Sequence, residues 1–79
     1  MTPTILFEEA YVATAYFLNI DFEYDSKFYT AQAHYYNGSG LENVEIYEQD
    51  KEGEIVSDEV IKIGEQLLFN MDIDSNLTF

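Results

Sequence analysis

Between Tyr16 and Asp25 apolar and polar residues alternate: Tyr16, Leu18, Ile20, Phe22 and Tyr24 fall on one side of an extended chain, and Asn19, Asp21, Glu23 and Asp25 on the other. Successive side chains of a strand point to opposite faces, so this period of two predicts a half-buried strand. A short turn at Asp25-Ser26-Lys27 leads into KFYTAQAHYY, rich in aromatic residues and threonine, which predicts a second strand joined to the first as an antiparallel hairpin. Its two faces are Tyr29, Ala31, Ala33, Tyr35 and Phe28, Thr30, Gln32, His34, Tyr36. The small alanines predict that something packs closely over the first set. Asn37-Gly38-Ser39-Gly40 supplies a reversal. ENVEIYEQ then reads as a third strand, with Val44 and Ile46 inward and Glu45 and Tyr47 outward, and a further turn falls at Lys51-Glu52-Gly53.

The period then changes. Val60, Ile61, Gly64, Leu67, Leu68 and Met71 recur at spacings of three and four, with Lys62, Glu65, Gln66 and Asn70 off that stripe, as an amphipathic helix requires. Ser57 is a good N-cap, and Asp58 and Glu59 follow where carboxylates favour the helix dipole. Gly64 on the apolar stripe costs about 1 kcal/mol of helix propensity. A close approach of the helix to the sheet, over Ala31 or Ala33, would explain it. The N-terminal TPTILFEEAYVAT has two readings. Thr2 before Pro3 resembles an N-cap and first helical position, and Leu6, Ala10, Ala13 and Phe17 share a helical face, so a short helix is the favoured expectation. The β-branched and aromatic content supports a strand instead. The expected fold is one α+β domain over residues 1–79: a three-stranded antiparallel sheet, four-stranded on the second reading, with a C-terminal helix packed on one face.

Composition changes this picture mainly through charge. Sixteen Asp plus Glu stand against three Lys and no Arg, for a net charge of −13. Such a surface repels phosphates, which argues against direct binding of nucleic acid or an anionic membrane. The absence of cysteine excludes a disulfide framework and thiolate chemistry, and suits a reducing cytoplasm. The apolar run AYVATAYFL spans nine residues, too few to cross a bilayer.

Candidate chemistry is sparse. There is one His, and neither a P-loop nor a dinucleotide-binding turn. His34 alternates with Gln32 and Tyr36 on a strand face and reads as a hydrogen-bonded or solvent-edge residue, and the expectation is a protein without catalysis. Asp72 to Asn76, DIDSN, imitates the opening of a calcium loop, but Leu77 stands where the turn requires Gly. No cofactor and no metal are expected.

The carboxylates carry the sharper signal. Same-face strand residues lie about 6.6 to 6.8 Å apart, so Asp21, Glu23 and Asp25 are expected to form a row spaced like successive phosphates. Glu42, Glu45, Glu48, Asp50, Glu52 and Glu54 form a second cluster along the third strand and its turn. Each neighbouring pair repels by roughly 0.2 to 0.6 kcal/mol in water, a strain that a cationic partner relieves. Tyr36 and Tyr47, expected outside the core, add an apolar ring and a hydroxyl, the composition of interface hot spots. These eleven residues are the expected partner-binding set.

With NIDFEYDSKFYTAQAHYY, ENVEIYEQ and SDEVIKIGEQLL in one small acidic chain, the protein resembles in kind the acidic inhibitors that bacteriophages direct at host nucleic-acid machinery: anti-CRISPR proteins, inhibitors of uracil-DNA glycosylase and anti-restriction DNA mimics. That resemblance implies stoichiometric inhibition in the cytoplasm of an infected bacterium, the protein, as monomer or homodimer, occupying the basic nucleic-acid site of a host defence complex, a CRISPR effector first among them. The competing expectation is a small interaction or assembly module, such as a phage accessory protein or acidic antitoxin, that binds through a tyrosine-lined sheet face.

Overall fold

A computed structural model describes residues 2–12, 15–36, 39–51, 53–73 and 77–78. Strands β1 (Thr4–Val12), β2 (Tyr16–Tyr24), β3 (Lys27–Tyr36) and β4 (Gly40–Glu48) form an antiparallel sheet, followed by one helix, α1 (Asp58–Phe69), and a two-residue strand, β5 (Leu77–Thr78). The order across the sheet is β4-β3-β2-β1-β5, with β5 parallel to β1. The protein is therefore α+β, with its helix near the C-terminus and packed on the sheet. Among the described residues no helix is long and apolar enough to cross a membrane.

The hairpin of β2 and β3 follows the alternation. Leu18 stands opposite Ala33, Ile20 opposite Ala31 and Phe22 opposite Tyr29, and all of these are buried on the face that the helix covers. Burying a Leu, Ile or Phe side chain contributes about 1.5–3 kcal/mol, so this face fixes which way the strands turn. The turn consists of Asp25 and Ser26, both in the left-handed region at φ 53° and 63°, the twist that a tight two-residue hairpin needs. Lys27 already pairs with Tyr24 in the ladder.

The favoured N-terminal helix is corrected to a strand. Ala10 pairs with Leu18 and is fully buried, and a strand at the edge of β2 satisfies that strand's second row of backbone groups, which a helix would leave open. An extra residue at Leu6 bulges β1 between Ile5 and Phe7. A second bulge interrupts β4, where Gln32 faces Glu45 but His34 faces Glu42. Asn43, at φ 55°, makes the extra step. The step reverses the alternation, so that Leu41 joins Val44 and Ile46 against the core while Glu42 turns to the other face.

Helix α1 is capped as the sequence indicates, the Val60 N–H donating to Ser57 Oγ at 3.3 Å, with Asp58 and Glu59 in the first turn. It packs over β2, β3 and β4, burying Val60, Gly64 and Leu68. Ile63 and Leu67 pack at the margin of the core, and Met71, just past the helix, is buried. The close approach expected at Gly64 is made to β4, at the residue paired with Ala31. The nearest neighbour of Gly64 is Ile46, and a Cβ on the glycine would lie 2.6 Å from Ile46 Cδ1. Burial raises the Tyr24 and Tyr29 hydroxyls above the ordinary tyrosine pKa, reinforced at Tyr24 by a hydrogen bond and charge from Glu59 and at Tyr29 by the charge of Glu48.

Candidate binding face

Among the described residues one helix covers one side of the sheet and nothing covers the opposite side. The strand registers define the other as a grid of rows running from β1 to β4. Tyr11, Phe17, His34 and Glu42 make the first row, Glu9, Asn19, Gln32 and Glu45 the second, and Phe7, Asp21, Thr30 and Tyr47 the third. Thr4, Glu23 and Phe28 begin a fourth. Neighbouring strands lie about 4.7–4.9 Å apart, so a row of four spans roughly 14 Å.

The first row is an aromatic strip. Tyr11 stacks on Phe17 at 5.1 Å between centroids, Phe17 meets His34 edge-on at 5.4 Å, and His34 leans towards Tyr36 at 6.4 Å. His34 is held in this strip with its Nδ1 buried and without a hydrogen-bond partner among the described residues. Of the expected hydrogen-bonded or solvent-edge histidine, the hydrogen bond is missing at Nδ1, while the half-buried ring packs edge-on against Phe17.

In the second row the Gln32 amide donates to Asn19 Oδ1 at 2.8 Å, which rigidifies the centre and leaves Glu9 and Glu45 as charged posts at its two ends. In the third, Gln49 donates to Thr30 Oγ1 at 3.3 Å, and the Thr30 hydroxyl donates to Asp21 Oδ1 at 2.8 Å. Asp21 is half-buried and carries its charge within this network. Phe7 and Phe28 flank it, 50% and 48% exposed, and Tyr11 is 39% exposed. Sheet faces without a second layer rarely present so many rings to solvent.

The expected site residues divide between surfaces. Asp21, Glu23, Tyr36, Glu42, Glu45 and Tyr47 lie on this open face. Asp25 belongs to the turn, so the row of three carboxylates stops at Glu23. Glu48 stands opposite Tyr29 on the helix side and pairs with Lys51 at 3.7 Å. Asp50 lies in the turn after β4 with φ 66°, and Glu54 lies beyond it, its N–H bonded to the Lys51 carbonyl. Glu52 falls outside the described residues. The sequence reading missed Glu9, Tyr11 and Phe17. The second reading of the N-terminal segment, a strand, places all three on the face with Asn19 and Asp21.

All three lysines stand elsewhere. Lys27 opposes Tyr24 on the helix side, Lys51 follows β4, and Lys62 lies on the outer surface of α1. The open face thus carries Glu9, Asp21, Glu23, Glu42 and Glu45 with no cation among them. Neither does it present a metal centre: among the described residues no group of three or more His, Cys, Asp or Glu gathers to hold an ion. Such an arrangement can receive guanidinium or ammonium groups, the rings by stacking and the carboxylates by charge-assisted hydrogen bonds. Comparison with family models, curated proteins and solved structures gives no match, so the chain is placed in no family and its site rests on its own geometry.

Proposed function

We propose that the protein is a stoichiometric inhibitor that docks its open sheet face on a basic, nucleic-acid-binding surface of another protein and keeps the polynucleotide out. One observation carries the reading: the uncovered face combines an aromatic strip with carboxylates and excludes every lysine of the chain. Arginine, the residue that such surfaces use most against phosphate, pairs with carboxylates and stacks on rings. A field of one sign also steers a cationic partner into contact. A host defence nuclease, with CRISPR effectors foremost, is the partner that the resemblance in kind implies. Glu9, Glu42 and Glu45 surround the strip, whereas Glu48 and Asp50 do not, and this selects the charge-reversal test.

The protein is captured from nuclease-treated bacterial lysate, and the partner is identified by mass spectrometry. The expected partner binds nucleic acid, loses affinity steeply as salt rises, and releases its polynucleotide when the inhibitor is added. Changing Glu9, Glu42 and Glu45 together to Lys should abolish this competition with the fold intact. A partner that keeps its nucleic acid while bound rejects the reading.

The exposure of Phe7, Tyr11 and Phe28 on the same face favours a second reading, an interaction module driven by apolar burial. It predicts weak salt dependence and a large loss on Tyr11→Ala, with little effect of the charge reversal.

A further inference from the structure

A separate surface lies at the rim of the sheet. β4 is the last strand on its side. The Gln49 N–H donates to the Phe28 carbonyl at 2.9 Å, so the alternation of an antiparallel ladder turns the N–H and C=O groups of Tyr47 and Glu45 towards β3 and those of Ile46 and Glu48 away from it. The Glu48 carbonyl accepts from the Lys51 N–H at 3.0 Å; among the described residues no backbone group pairs with the Glu48 N–H or with the N–H and C=O of Ile46. Beside them lies a groove of about 540 Å³ whose apolar lining is Val44, Ile46 and Ile61, and whose carboxylates are Glu45, Glu54 and Glu65.

We infer that this edge accepts an extended segment of a partner protein as a further strand, one in which apolar residues alternate with Lys or Arg. The alternation follows from strand geometry. In an added strand, one set of side chains points to the helix side, over Ile46 and Ile61, and the other to the open side, beside Glu45 and Glu42. The charge follows from the lining, which holds three carboxylates and no lysine. It also opposes the simplest alternative, a second copy paired through β4, which would bring two edges bearing Glu42, Glu45 and Glu48 together between chains of charge −13 each.

The probe is an eight-residue peptide alternating valine and lysine, with amide exchange of the isotope-labelled protein followed by NMR. The Ile46 and Glu48 amides should exchange at least tenfold more slowly with peptide bound. Methylating the backbone nitrogens of all valines or of all lysines should have opposite outcomes, one form losing binding and the other keeping it, because a strand directs alternate N–H groups to opposite sides. Replacing valine with serine, or Glu54 and Glu65 with Gln, should weaken binding several-fold. Equal effects of the two methylated peptides, or protection confined to β1, overturn the inference. Shifts confined to Tyr11, Phe17 and His34 also overturn it, while leaving the proposal for the open face standing; loss of edge binding leaves that proposal untouched as well.

Discussion

Gly64 shows how a single absent methyl sets the distance between two layers. A helical glycine costs about 1 kcal/mol relative to alanine, yet an alanine here would bring its Cβ to 2.6 Å from Ile46 Cδ1 and 3.0 Å from Cγ1. Overpacking of that kind costs typically about 1–3 kcal/mol, so Gly64→Ala should be neutral to destabilising by about 2 kcal/mol in urea denaturation. Ile46→Val alone should cost about 0.5–1.5 kcal/mol. The double variant should be more stable than the sum of the two by about 1 kcal/mol, because the removed Cδ1 is the atom in the way. Strict additivity would show that the layers adjust instead. The sequence marked Gly64 as a point of close approach but not its neighbour, because periodicity orients a helix face without saying which strand lies under each residue.

At the scale of elements, the alternation of β2 and β3, the capped helix and its apolar stripe were legible, each being a local pattern with a strong period. The N-terminal strand was not: TILFEEAYV alternates poorly because Leu6 is an extra residue, and its strand character comes from pairing with β2. The same is true of β4, where the bulge at Asn43 carries Leu41 to the core and Glu42 to the open face. That step depends on a left-handed backbone, which Asn tolerates and a β-branched residue does not. Asn43→Gly should therefore leave stability within a few tenths of a kcal/mol, and Asn43→Val should lower it by about 1–2 kcal/mol. An equal effect of the two, read from denaturant midpoints, would mean that the bulge is dispensable. The candidate face was half legible for the same reason, since β4 supplied its carboxylates but the unrecognised β1 supplies Glu9 and Tyr11.

For the whole molecule, sixteen carboxylates stand against three lysines; those of the described residues lie on both layers, and Glu48 pairs with Lys51. Self-repulsion is therefore a general tax on folding, and screening should relieve it: the melting temperature should rise by several degrees between about 10 mM and about 500 mM sodium chloride, over which the Debye length falls from about 30 Å to a few ångströms. A melting temperature that falls with salt would mean that the charges are favourably arranged. The sheet has one further dependence on this charge. β5 pairs only with Ala10 and Tyr11, so the first half of β1 has no described strand on its outer side, and Ile5, Leu6 and Phe7 there are exposed. The kink at Leu6 spoils the flat template that fibril growth needs, and Glu8 and Glu9 act as gatekeepers beside it. Deleting Leu6 and changing Glu8 and Glu9 to Gln would remove both guards at once, and that chain should grow fibrils that bind an amyloid dye where the natural one does not.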